Sequence, residues 1–254
     1  MSTKMLMMCG AQEAAPSQVV FESTTTGGFD GYSWTVPDGV THVCVAAVSP
    51  GGNGGDWGGS TATGGKGGDF GWANEIPVTP GTKIIVQFSS SGAQIYSRVS
   101  LPNGAGDLYV YAGRASVKSG AFSSATVYSG GSSASYSFGG GGGGAGGYTG
   151  AGGDGQGSGS GTAGGGGAGG GGGGGDGGGG VALRGQGPNG TYSSGLPGGG
   201  GSGGSAGIGK NGGNYGGGGA GGRSGSTDGG VGGKGAVRIL WGGGRSYPNN
   251  AADL

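Results

Sequence analysis

The residues that could carry chemistry are few. The chain has one histidine, His42, and two cysteines, Cys9 and Cys44, in 254 residues. A Ser-His-Asp or Cys-His nucleophile needs an imidazole as its base. The only imidazole lies in THVCVAAV, which reads as a strand, so His42 reads as a strand residue. Structural zinc takes roughly four nitrogen or sulfur ligands, more than one histidine and two cysteines supply. Two cysteines are also too few for a disulfide framework. The GGKGG run around Lys66 fails as a phosphate loop, because Ser60 stands where a glycine is required and Gly67 follows the lysine. Gly171 to Asp176 fits the start of a calcium-binding nonapeptide, but Gly178 occupies the required apolar position and no tandem copies follow. Asn189-Gly190-Thr191 is a formal glycosylation sequon. This inventory predicts a protein that is not an enzyme and needs no cofactor or metal.

What remains is recognition. Glycine accounts for 83 residues and is densest between Gly139 and Gly235. Large residues punctuate that block, and a smaller glycine-rich stretch precedes it. Trp57, Tyr148, Arg184, Tyr192, Tyr215 and Arg223 are the candidate binding residues, placed where glycine segments would have to turn. Aromatic side chains among Ser, Gly and Asn give large contact area at low entropic cost, the chemistry of recognition loops. The competing reading is that Tyr192 and Tyr215 pack over the outer layers as covers.

The block itself favours neither α-helix nor ladder-forming strand, since glycine has the largest ordering entropy and no side chain to pack. Flexible linkers usually alternate Gly with Ser and carry no bulky residues. Collagen needs a strict Gly-X-Y period and abundant proline, whereas this chain has nine prolines and no such period. The expected solution is a bundle of polyglycine II helices, each with three residues per turn and bonded to its neighbours. A disordered block is the alternative that composition leaves open.

Around the block the sequence predicts an antiparallel, sandwich-like β domain over 17–138, with a glycine-rich insert at 51–73. Strands are expected at Ser17–Thr24, Ser33–Val36, Thr41–Ser49, Thr82–Phe88, Ile95–Leu101, Asp107–Gly113 and Ala125–Ser129. The Thr41–Ser49 run is apolar on both faces, His42, Cys44 and Ala46 on one and Val43, Val45 and Ala47 on the other, which implies a central position. Residues 1–16 read as an arm. Residues 236–254 supply a closing strand, Gly235–Trp241, and a tail. Almost no α-helix is expected. Only 9% of residues are charged and the formal net charge is zero, so no basic patch predicts nucleic-acid binding. No apolar run approaches the ~20 residues that span a bilayer, and MLMMCGA is too short for a secretory signal.

Motif order adds a resemblance. WTVPDGVTHVCVAAV, a glycine-rich excursion and then VTPGTKIIVQF resemble the glycine-rich domain of many phage tail and prophage proteins. GKGAVRILWGGGRSYPNN resembles the closing signature of phage virion proteins. The central block is similar in style to the tail-fibre-tip adhesins of T-even-like phages, in which packed polyglycine II helices present variable loops. The resemblance implies a virion protein, made in the host cytoplasm, that binds a host outer-membrane protein or glycan. It also implies other tail or fibre proteins as partners, with the chain either capping a fibre singly or forming a homotrimer. Two further readings are a purely structural fibre, spike or baseplate component and an ice-binding polyglycine II protein.

Overall fold

The computed structural model describes residues 14–24, 28–90, 94–159, 161–165, 168–173, 176–181, 183, 210–222 and 228–249. Most of the 1–16 arm therefore lies outside the described residues. Two five-stranded antiparallel sheets and a two-stranded pair make up the regular structure, and the helical content among the described residues is one 3-10 turn, Pro102–Gly104.

The central sheet takes β1 (Ser17–Glu22), β3 (His42–Val48), β5 (Phe70–Pro77), β10 (Thr126–Tyr128) and β12 (Ala236–Trp241), in the order β1-β12-β3-β5-β10. The outer sheet is β2 (Phe29–Thr35), β6 (Lys83–Ser89), β7 (Tyr96–Ser100), β8 (Gly106–Tyr111) and β9 (Val117–Gly120), in the order β2-β6-β7-β8-β9. Strands β4 (Ala62–Thr63) and β11 (Ser135–Tyr136) pair with each other.

Strand β3 has the central position its double apolar pattern predicts. Val43, Val45 and Ala47 join Ile84, Val86, Phe88, Val99, Leu108 and Val110 in a core between the two sheets. Cys44, Ala46 and Val48 face the opposite way and join a second core with Phe70, Leu240, Ala145, Tyr148, Val181 and Leu183. Burying both faces of one strand uses alternation fully, because each residue serves one of two cores. The expected closing strand also forms. As β12 it lies between β1 and β3, antiparallel to both, with Val237 opposite Phe21 on one side and Ala47 on the other.

Strand β5 is a correction to the sequence reading. The insert predicted at 51–73 ends earlier, because Phe70–Pro77 is a strand pairing with β3 and β10. Glycine inside FGWANEIP disguises it. At Gly71 a Cβ would come within 2.9 Å of Val110 Cγ1, so the absent side chain makes room for the opposing sheet. Strands β4, β9 and β11 are likewise absent from the sequence reading.

The central sheet does not stop at its strand ends. Past β3 the chain runs on as 50–56, segment 62–68 leads into β5, β10 continues as 129–134, and 228–234 leads into β12. These four segments bond in the order of their strands: Gly51 N–H to Gly233 O, Gly52 N–H to Lys66 O, and Gly64 N–H to Ala134 O. On this glycine layer lies segment 140–146, whose donors rotate with a period of three. Gly140, Gly143 and Gly146 give their N–H groups to Ala62, Gly65 and Gly68; Gly141 and Gly144 to Gln156 and Gly153; Gly142 and Ala145 to Asp176 and Gly179. Its carbonyls accept with the same period, from Gly221 and Gly218, Ala134 and Gly131, and Gly172 and Gly169. Segment 140–146 is thus ringed by six others.

Segment 216–222 has its own ring. It donates to 210–213, 140–146 and 50–56, and accepts from 62–68, 228–234 and 176–181. Each hub is a member of the other's ring. Glycine is required by this closeness: a Cβ at Gly142 would lie 2.2 Å from Gly218 O, and one at Gly144 2.0 Å from Gly169 O. Among the described residues, the side chains that the lattice buries in segments 140–146, 168–173 and 216–222 are alanines. The lattice is held by backbone hydrogen bonds, each with a net contribution of about 0.5–1.5 kcal/mol, and by close Cα–H···O contacts. The domain boundary expected at 138/139 does not divide the fold, since 50–56, 62–68 and 129–134 belong to the same glycine lattice as 140–146.

Candidate functional site

The lattice has two ends, and they differ in chemistry. At the near end, loops 147–150 and 213–216 meet the central sheet, and the flanks of 166–167 lie at the same end of the lattice. At the far end lie 57–61, 135–139, 157–159 and the flanks of 223–227. This division sorts the predicted binding residues.

Tyr148 belongs to the near end and is fully buried. Its ring packs edge-on against Phe70 at 4.6 Å and stacks on Tyr247 at 5.6 Å. Its hydroxyl donates to Leu183 O at 2.6 Å, and its carbonyl accepts from Trp72 Nε1 at 3.0 Å. Arg238, also fully buried, donates to the same Leu183 carbonyl at 2.8 Å and to Gln18 Oε1 at 2.7 Å. Tyr148 therefore fastens the lattice to the sheet and offers no surface to a ligand. Its expected role in recognition is corrected on that ground.

Tyr215 is also at the near end. It exchanges backbone hydrogen bonds with Val181, packs half-buried against the second core, and its hydroxyl bonds Glu22. It acts as a cover, the competing reading of the sequence. Trp57 is the described candidate that reaches the far end, half-buried in the 57–61 turn. Arg184, Tyr192 and Arg223 lie outside the described residues.

Two tip residues escape the sequence reading. Tyr136 and Phe138 sit in the turn between 129–134 and 140–146, ring centroids 5.8 Å apart, and Phe138 is 54% exposed. The turn is tied down by hydrogen bonds: Ser135 and Tyr136 pair with Thr63 and Ala62, Thr63 Oγ1 donates to Ser135 Oγ at 3.1 Å, and Gly139 N–H bonds Tyr136 O. The signal is SYSF immediately before the glycine run, which in sequence looks like the end of the β domain. The far end also carries exposed Asp56 and Asp228; Asp56 Oδ1 accepts from Gly229 N–H at 3.0 Å.

His42 and Cys44 line a cleft of about 390 Å³ at the start of β3, with Glu75 and Arg245. The Cys44 thiol donates to Arg245 O at 3.3 Å, and burial pushes its pKa up, which keeps it protonated and poorly nucleophilic. His42 is exposed, with Nδ1 3.2 Å from Thr41 Oγ1. Asp69 is buried where 62–68 becomes β5, accepts from Ser116 Oγ and Gly130 N–H, and is raised by burial to about 6. Among the described residues no group of three or more His, Cys, Asp or Glu could hold a metal ion, and no helix is long and apolar enough to cross a membrane.

A scan against protein-family models matches no family, and a search of the curated proteins finds no match.

Proposed function

We propose that this chain is a phage virion adhesin of the tail fibre or tail tip, in which a polyglycine II bundle holds an aromatic tip towards a host-cell receptor. The observation that carries the reading is the pair of six-membered rings around 140–146 and 216–222. A three-residue donor period with six neighbours is what side-by-side polyglycine II helices require. Such a body is stiff without bulky side chains, so its far turns stay fixed in space while their sequence is free to vary. Trp57, Tyr136 and Phe138 are the contact residues assigned to that tip. Aromatic anchors held rigidly lose little entropy on binding, and no chemical step is involved. The receptor is an outer-membrane protein or glycan, and the virion motifs quoted above supply the setting.

The test uses virions assembled with the triple variant Trp57→Ala, Tyr136→Ser, Phe138→Ser. Adsorption to a sensitive host should slow by about tenfold or more, as loss of an aromatic hot spot predicts, with particle yield unchanged. Normal adsorption by such particles would assign the chain a purely structural role in the virion.

A further inference from the structure

The outward face of the outer sheet is a second built surface, distinct from the tip. Of the large apolar side chains exposed among the described residues, Phe29, Ile85 and Val117 all stand on it. Strand register sets tyrosines beside them. Val117 is opposite Tyr109, and Tyr96 is opposite Tyr111. Tyr96, Tyr109 and Tyr111 form a triangle with centroid separations of 5.6, 5.9 and 5.9 Å. The Arg98 guanidinium lies 4.8 Å from the Tyr109 centroid, and that of Arg114 lies 5.5 Å from the Tyr111 centroid.

This geometry selects among ligand classes. Sugars and bases stack on open ring faces. Here the Arg98 guanidinium lies over the Tyr109 ring, that of Arg114 lies over the Tyr111 ring, and Tyr111 is only 8% exposed, so these rings leave little open face. Around them stand the exposed side chains of Phe29, Ile85 and Val117. Tyr and Arg held among apolar residues are the composition of protein–protein hot spots. The side chains are already ordered: Arg98 is bonded to Asp107 at 3.0 Å and to Gln87 at 3.1 Å. Charge then defines the partner. Lys83, Arg98 and Arg114 are the cations of the face, and the acid beside them, Asp107, is neutralised by Arg98.

We propose that this face docks a protein partner whose contact patch mixes carboxylates with apolar or aromatic side chains. Such a surface would mount the chain on its assembly while the tip remains free, and it stands whether or not the tip binds a receptor.

The probe is a random copolymer of glutamate and tyrosine, with polyglutamate and dextran sulfate as comparison polyanions. Binding to the immobilised full chain is read by interferometry at low and high salt. The copolymer should bind more tightly than either comparison polymer, with affinity that falls as salt screens the charges. Lys83→Gln with Arg114→Gln, two exposed positions that leave the core intact, should weaken it by about tenfold. Tyr96→Ser with Tyr109→Ser should do the same at unchanged circular dichroism. Trp57→Ala with Phe138→Ala, at the tip, should leave it unaltered. Equal binding of dextran sulfate would overturn the proposal in favour of an anionic glycan. No copolymer binding, or binding indifferent to both face variants, would overturn it outright.

Discussion

Asp69 shows how one side chain links the two halves of the structure. Its carboxylate sits where a glycine segment becomes a strand, with Ser116 Oγ at 2.7 Å and Gly130 N–H at 3.0 Å. Burial outweighs those two bonds and raises its pKa from 3.8 to about 6. The folded state therefore binds this proton more tightly than the unfolded state does. The sign follows: the stabilisation is complete below about pH 4 and is lost as pH rises to about 6, by roughly 2–3 kcal/mol. Asp69→Asn removes the titration while keeping an acceptor and the shape. The stability of the Asp69→Asn variant relative to the parent should climb between pH 4 and pH 7 in chemical denaturation. Parallel curves for the two proteins would show that Asp69 titrates normally. Tyr148 carries the opposite lesson about legibility. In GGGGAGGYTG a tyrosine looks the same whether it turns towards water or towards a sheet, and the Phe70 and Tyr247 rings that claim it lie far away in sequence.

Among elements, strands with side chains are readable and segments without them are not. Alternation in THVCVAAV marks both faces of β3, and GAVRILW marks β12, because each apolar residue records the core it serves. The β5 strand is hidden by Gly71 and by the glycines before it. In the lattice nothing records neighbours at all, since the contacts are made by backbone groups every residue possesses. That 140–146 and 216–222 are hubs cannot be read from composition. The hubs nevertheless make a sharp prediction. Gly142→Ala forces a Cβ to 2.2 Å from Gly218 O, backbone that can yield only by separating two segments. It should cost several kcal/mol, in the range of severe overpacking. Gly58→Ala, with nothing within 4 Å, should change stability by no more than about 0.5 kcal/mol. Urea midpoints of the two variants decide the matter, and equal midpoints would mean the rings are not closely packed.

At the scale of the whole molecule, the central sheet is shared property. Its inner face completes the sandwich core, its other face completes the second core, and its strands extend into the glycine layer. Neither part has a stable surface to present without the other. Calorimetry of the full chain should accordingly show a single transition whose calorimetric and van't Hoff enthalpies agree. Two resolved transitions would show that lattice and sandwich unfold independently.

Strand β12 lies between β1 and β3, so residues 236–241 are hydrogen-bonded on both sides to strands made long before them. During synthesis, a ribosome will have emitted more than two hundred residues before the gap in the central sheet can be filled. The nascent chain must wait with that gap open, its glycine segments lacking the sheet that orders them. A message broken before the codons for Ala236–Trp241 would then yield a central sheet with its gap unfilled. Translation through Trp241 acts as the proofreading step: only a chain read past β12 can close the sheet.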